Sequence, residues 1–265
     1  MAIVGAVLFA FYAVAAVVVM GVFGWPLALV LVATVGFVGV QYKIGKWAAL
    51  RSVGAEELPK DRYGDVHRRV EALADDMGID KPRLMVARMG VPNAFAVGRK
   101  GAGTVVVSEE LLQLLDPDEL EGVLAHELAH ISNRDVVMMV LGQGVASIVA
   151  IVAQWAVLLT GDNDIADFFL AIVVGQITQF LVLIFVFAIS RYREYVADSD
   201  AAEKVGGGEP LARALEKIQR GSQRTRETEV DAQVNALCIF GEERGLERLV
   251  ATHPPVEKRI ERLRS

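Results

Sequence analysis

The residues most able to do chemistry lie in one hexapeptide, Ala125-His126-Glu127-Leu128-Ala129-His130. Residues four apart share one face of an α-helix, so His126 and His130 can direct their imidazoles at a single point. Zn²⁺ takes nitrogen and carboxylate ligands in tetrahedral geometry and suits such a pair. Glu127 projects from a neighbouring face, where its carboxylate can take a proton from a zinc-activated water. The H-E-x-x-H spacing therefore predicts a metalloprotease site.

The sequence around this motif predicts the helix that the spacing requires. Asp116-Pro-Asp-Glu119 has the proline and the acidic first turn typical of a helix start. The alternative, a surface helix with two incidental histidines, is disfavoured by an apolar stripe at helical spacing. That stripe comprises Leu120, Val123, Leu124, Leu128 and Ile131.

A catalytic zinc needs at least a third protein ligand, with water in the fourth position. Glu194 and Asp198 are the obvious carboxylates, four residues apart on one helical face. Glu194 could bind the metal, and Asp198 could hold an imidazole N–H and fix its tautomer. Arg191 and Arg193 could neutralise the local negative charge. From spacing alone, a surface charge cluster at a membrane boundary is an equal alternative.

Composition indicates a membrane protein. The chain has 265 residues, of which 53% are hydrophobic, and its mean hydropathy is +0.39. A net charge of −6 implies no basic face for nucleic acid. The single cysteine, Cys238, excludes an intramolecular disulfide framework and a multi-cysteine zinc site.

Four apolar runs predict transmembrane helices. A signal peptide is the alternative for the first run, but no Lys or Arg precedes it and a second run follows at once. A pair of soluble core helices is the alternative for the last two, but runs of this length without charge usually span. The runs are residues 3–23, 27–40, 136–160 and 168–189.

The positive-inside rule orients these helices. Lys43, Lys46 and Arg51 follow the second run and place residue 43 onward in the cytoplasm. The acidic loop 161–167 has no Lys or Arg and belongs outside.

The apolar runs and the segments between them together predict a mainly α membrane protein. It has four transmembrane helices and a cytoplasmic α+β catalytic domain. Its small sheet is expected to be antiparallel, with strands at 83–87, 93–97 and 103–108 and a hairpin turn at Gly98-Arg-Lys-Gly101 between the last two. The predicted organisation is a transmembrane hairpin at 1–42, the first part of the catalytic domain at 43–135, a second hairpin at 136–189 and the second part of the domain at 190–265.

Several motifs together resemble one family, the HtpX-like membrane zinc endopeptidases, which are gluzincins related to the CaaX prenyl endoproteases. The resemblance covers nearly the whole chain. The motifs are His126-Glu-Leu-Ala-His130, Asn133, Ser190-Arg-x-Arg-Glu-Tyr-x-Ala-Asp198, Asn93-Ala-Phe-Ala96 and Thr252-His-Pro-Pro255.

The resemblance implies a zincin-type domain that binds one Zn²⁺ per chain. The expected ligands are His126, His130 and Glu194, with Glu127 as general base and Asp198 supporting the site from behind.

The resemblance also implies residues that handle substrate. His253 would lie near the oxyanion formed during hydrolysis, with Arg259 close behind it; the alternative is a C-terminal packing residue. The strand at 93–97 would be the rim on which an extended peptide pairs. For Asn93 the alternative is a turn residue after Pro92. The expected substrate-binding residues are Asn93, Ala94, Phe95 and Ala96.

The expected function is endoproteolysis of misfolded or damaged membrane proteins, a heat-shock type of quality control in the plasma membrane. Protein or peptide substrates and the lipid bilayer are the expected partners; nucleic acid is not, and the oligomeric state is not predicted. A narrower CaaX-type processing endoprotease is one alternative, although its chamber would need more spans than four. A non-catalytic scaffold with a structural zinc is another, but such a site would normally be closed by four protein ligands.

Overall fold

The computed structural model describes Gly21, Gly24 and residues 26–161, 164–225 and 253–265. Of the first predicted span, at 3–23, only Gly21 falls among them. The described part is mainly helical, as predicted, with one small sheet. Its helices are α1 (Leu27–Ser52), α2 (Lys60–Asp76), α3 (Glu109–Leu114), α4 (Pro117–Asn133), α5 (Asp135–Thr160), α6 (Ile165–Val205), α7 (Glu209–Thr225) and α8 (Val256–Leu263), and its strands are β1 (Glu56–Glu57), β2 (Arg83–Ala87), β3 (Ala94–Val97) and β4 (Thr104–Ser108).

The chain divides into two compact units. One comprises Met1–Ile44 and Val137–Ile189, and the other comprises Gly45–Val136 and Ser190–Ser265. Each unit is therefore assembled from two separate stretches of sequence.

The first unit contains the apolar helices. Among the described helices, α5 and α6 are long and apolar enough to cross a membrane, judged by length and composition. Their large apolar side chains face outward: Leu159 is 77% exposed and Phe185 is 72% exposed. Ala146, Ala150 and Ala171 of these helices are buried, and small side chains of this kind allow helices to approach closely.

The sheet is mixed, and the prediction of an antiparallel sheet is wrong. The strand order is β1-β2-β4-β3, in which β2 pairs parallel with β4 while β1–β2 and β3–β4 are antiparallel. The glycine-rich turn at 98–101 does join β3 to β4 as a hairpin, with Gly98 and Gly101 at positive φ. After β2 the chain forms β3 two positions away in the sheet, and leaves a gap beside β2. Strand β4 then returns through that gap, antiparallel to β3, and therefore runs parallel to β2.

The core of the second unit lies between the sheet and helices α2, α4 and α7. It includes Val70, Val105, Leu124, Leu128 and Leu215, all fully buried or nearly so. The opposite face of the sheet packs a second, smaller cluster against residues at the end of α1. Because both faces of β4 are covered, all five of its residues are buried.

Helix α4, which carries the H-E-x-x-H motif, has well-defined ends. Asp116 and Glu119 form a capping box around Pro117 at the first turn, as the sequence predicts. At the other end Arg134 adopts the left-handed conformation with φ 60°, ψ 37°. This residue ends α4, and α5 begins at the next residue, Asp135.

Candidate metal centre

Helix α4 brings the two motif histidines into the interior of the second unit. Both lie one turn apart on the face that packs against the core, and His126 is 3% exposed. Helix α6 supplies Glu194, which is 4% exposed. The two helices are far apart in sequence, so these side chains come together only through the tertiary fold.

The imidazoles and the carboxylate converge on one point. Nε2 of His126 lies 3.0 Å from Nε2 of His130. The Glu194 oxygens lie 3.6 Å from His126 Nε2 and 3.4 Å from His130 Nε2. The two rings are nearly perpendicular, at 87°. This arrangement presents three ligand atoms to a common centre.

These three residues fit a zinc ion. Ligand atoms about 2.0–2.1 Å from a tetrahedral zinc are about 3.3 Å apart, close to the separations found here. Oε2 of Glu194 is buried and makes no hydrogen bond of good geometry among the described residues. Its close contacts are with positively charged or ring N–H groups, from Arg259 at 3.2 Å and His253 at 3.0 Å, so it lies where a carboxylate is needed to balance charge.

Glu127 lies beside the ligand pair. It is 3% exposed, and its charge acts on both His130 and Arg259. Because it follows His126 in the helix, its side chain leaves the ligand face and does not join the group of ligand atoms. The position suits proton transfer next to the centre.

Behind His126 stands an aspartate held by an arginine. Nδ1 of His126 lies 3.0 Å from Oδ1 of Asp198. Arg259 is 1% exposed and donates to both Asp198 oxygens, at 2.8 and 2.6 Å. It also lies 3.2 Å from Oε2 of Glu194. Burial alone would lower the pKa of Arg259, but the two carboxylates raise it above its ordinary value.

The neighbouring carboxylates also raise the pKa values of the two imidazoles. Burial alone would lower the pKa of His126, but the neighbouring Asp198 and Glu194 carboxylates raise it above the ordinary value. The pKa of His130 is likewise raised, against the effect of burial, by the charge of Glu194.

Behind His130 stands Asp135, which the sequence reasoning missed. Nδ1 of His130 donates to Oδ2 of Asp135 at 2.5 Å. The other oxygen of Asp135 contacts Nη2 of Arg193, which is 4% exposed. Arg191, two residues earlier, is only partly buried. The available signal was an aspartate soon after the motif, at the first position of an apolar run.

His253 reaches the same centre from the C-terminal segment. Its Nδ1 lies 3.0 Å from Oε2 of Glu194, and its side chain is 31% exposed. It is therefore more open to solvent than His126 and the other buried groups around the centre.

The expected substrate strand forms one edge of the sheet. Strand β3 ends the strand order and packs against α4. Asn93 is buried, and its N–H and C=O bond to Ser108, at 2.9 and 2.8 Å. Phe95 packs in the smaller cluster, whereas Ala94 and Ala96 face the main core. Their side chains are thus engaged by the fold, and the backbone is what remains at the edge.

Comparisons with known proteins identify a family and relatives for this chain. Residues 60–265 match the profile of peptidase family M48. The chain is 59% identical, over an alignment of 289 residues that covers all of both chains, to a protein named protease HtpX homolog from Halobacterium salinarum. It is 37% identical to a protein of the same name from Aquifex aeolicus, over 92% of this chain and 84% of that one.

A crystal structure shares the fold. The S. mikatae Ste24p structure matches 99% of this chain with a TM-score of 0.62 at 20% identity. This chain corresponds to 62% of the length of that protein.

Proposed function

Since the chain belongs to peptidase family M48, we propose that it is a membrane-embedded endopeptidase holding one zinc ion between His126, His130 and Glu194. Its classification as a metalloprotease and its resemblance to the HtpX proteases follow from the family and the relatives. The observation that carries the proposal is the convergence of three ligand atoms, all within 4.8 Å of one another. Two imidazoles and one carboxylate are a donor set of catalytic zinc sites that leave a position for water.

Glu127 is the general base of the proposed reaction. Zinc would supply Lewis-acid activation of the water and the scissile carbonyl. The Glu127 carboxylate accepts a proton from the attacking water and returns it to the leaving amine. Its burial keeps bulk water away from this transfer.

His253 is proposed to donate a hydrogen bond to the oxyanion. Its partial exposure leaves the ring accessible to a bound peptide, while the contact with Glu194 holds it at the centre. Arg259, behind it, holds Asp198 and Glu194 in place and keeps positive charge near the developing oxyanion.

The free edge of β3 is proposed to hold the substrate as an added strand. Asn93 pairs with Ser108, and pairs that exchange hydrogen bonds recur every second residue of an antiparallel ladder. Phe95 and Val97 therefore bond toward β4, and the N–H and C=O groups of Ala94 and Ala96 point to the open edge. Backbone pairing there would hold a peptide without demanding a particular sequence.

A four-span topology in the plasma membrane, with the catalytic domain in the cytoplasm, is part of the proposal. Helices α5 and α6 support it by their length and outward apolar surface. The Lys and Arg residues that flank the apolar runs support the cytoplasmic assignment.

Misfolded or damaged membrane proteins, or their cytoplasmic loops, are the proposed substrates. Sequence-tolerant backbone pairing and the similarity to the HtpX proteases support this choice. The scaffold alternative requires a closed zinc site, whereas three donors form the group found among the described residues.

Two substitutions test the site. Glu127→Gln should leave zinc bound and abolish cleavage of an unfolded membrane-protein substrate in detergent, a loss of at least about a hundredfold. Glu194→Ala should lose both zinc and activity. Zinc content would be measured by mass spectrometry of the purified protein, and Glu71→Gln, on the exposed side of α2, serves as the control.

Two outcomes would contradict the proposal. Unchanged proteolysis by Glu127→Gln, with contaminating proteases excluded, would remove the mechanism. Equal zinc content in wild type and Glu194→Ala would remove Glu194 from the ligands.

A further inference from the structure

The two proposed histidine ligands have the same surroundings. An aspartate contacts Nδ1 of each ring, and a buried arginine contacts each aspartate. Asp198 and Arg259 serve His126 in this way. We propose that Asp135, held by Arg193, is the positioning residue for His130, fixing its tautomer so that Nε2 faces the metal. This inference rests on the proposed metal site.

The contacts of Asp135 fit such a role. An ionised carboxylate accepts hydrogen bonds and has no proton to donate. The 2.5 Å contact with Asp135 therefore assigns the proton to Nδ1 of His130. Nε2 is then the unprotonated nitrogen, and it is the atom that faces His126 and Glu194. A second carboxylate thereby prepares the ring for coordination, as partners of metal-bound imidazoles commonly do.

The sharp turn after α4 makes this contact available. In a continuous helix, residues five apart lie about 140° apart around the axis, so Asp135 could not stand behind His130. Arg134 breaks the helix in the left-handed conformation, and Asp135 becomes the first residue of α5. Its side chain then folds back onto the preceding turn. An arginine in this conformation is costly, so the contacts around the turn must compensate for that cost.

Arg193 supplies the positive charge that pairs with the buried Asp135 carboxylate. Asp135 is 7% exposed, and an isolated carboxylate at that depth would be strongly disfavoured. Arg193 contacts its Oδ1 and donates from Nη2 to the backbone carbonyl of Asn133, at 3.2 Å. Asn133 in turn donates to Asp200 at 2.7 Å. The end of α4 is thus tied to α6 at the point where His130 must be held.

The experiment measures zinc affinity directly, by competition with a chromophoric chelator at fixed pH in detergent. The variants are Asp135→Asn, Arg193→Gln and the double substitution, with Asp200→Asn as matched control. Asp200 belongs to the same network but does not contact a histidine in the structure. Visible spectra of the Co²⁺-loaded proteins report the geometry of the centre independently of activity, and thermal unfolding with saturating metal checks the fold.

We expect zinc affinity to fall about 10–100-fold in Asp135→Asn, with an altered Co²⁺ spectrum, and to change less than threefold in Asp200→Asn. The double variant should stay as weak as Asp135→Asn, because the carboxylate acts on the imidazole. Recovery of wild-type affinity in the double variant would show that Asp135 only neutralises Arg193, and would overturn the inference.

Wild-type affinity in Asp135→Asn itself would also overturn it. The same measurements also test the proposed function separately. That function requires the wild type to bind zinc and the Glu194→Ala variant to lose zinc binding. A wild type that binds zinc together with an unaffected Asp135→Asn would reject only the inference.

Discussion

The histidines of the candidate metal centre lie among carboxylates, and these carboxylates affect how protons would compete with a metal. The neighbouring Asp198 and Glu194 carboxylates raise the pKa of His126, and the charge of Glu194 raises that of His130. A raised pKa means that, without metal, the protonated ring persists to higher pH than an ordinary imidazole. A ring must be neutral to bind zinc, so binding must expel these protons.

Zinc affinity should therefore fall on acidification from a pH above 6.5, the ordinary value for an imidazole. Below both histidine pKa values the loss should approach about a hundredfold per pH unit, because two protons are displaced. Chelator competition between pH 8.5 and 5.5 would measure it. An affinity that stays constant down to pH 6 would contradict the prediction.

At the scale of single residues, the sequence predicted which side chains share a helical face, because that depends only on local spacing. The i, i+4 relation placed His126 with His130, and the same relation placed Glu194 with Asp198. Spacing could not distinguish Glu194 as a ligand from a surface charge, because its burial depends on packing between α4 and α6. Asp135 was missed because its approach to His130 depends on the left-handed turn at Arg134.

At the scale of elements, the sequence located β2, β3, β4 and the hairpin, but not β1 or the order of the strands in the sheet. The glycines at 98–101 predict the β3–β4 pairing, which is local. The parallel pairing of β2 with β4 depends on a crossover between strands that no local pattern encodes. The short, charged strand β1 gave no apolar alternation to detect. Because β4 lies inside, the sheet leaves β3 at one edge.

The edge of β3 can be tested with one proline. Ala96→Pro removes an N–H that points to the open side, so the ladder to β4 should survive while substrate pairing weakens. We expect kcat/KM for a protein substrate to fall about tenfold or more, since one lost hydrogen bond is worth about 0.5–1.5 kcal/mol and the ring also obstructs the edge.

Ala96→Ser is the matched control, because it keeps both the N–H and a small side chain. It should retain near wild-type kcat/KM. Zinc content and melting temperature should remain unchanged in both variants. Equal kcat/KM for the proline variant and the wild type would exclude pairing at this edge.

At the scale of the whole molecule, the unit that contains the metal centre is built from Gly45–Val136 and Ser190–Ser265. The intervening chain, Val137–Ile189, belongs to the unit with the apolar helices. His126 and His130 precede this insertion and Glu194 follows it. If the insertion crosses the membrane twice, as proposed, both stretches of the catalytic unit are on the same side of the membrane.

The single cysteine makes that topology testable without changing the site. If the catalytic unit is cytoplasmic, a membrane-impermeant maleimide should label Cys238 only after the cells are permeabilised. Asp164→Cys in a Cys238→Ser background should be labelled in intact cells, because the loop 161–167 has no Lys or Arg and is predicted to lie outside. Asp164 is exposed, so the reagent can reach it. Labelling in denaturant controls for thiol reactivity. Labelling of Cys238 in intact cells, with Asp164→Cys protected, would reverse the orientation.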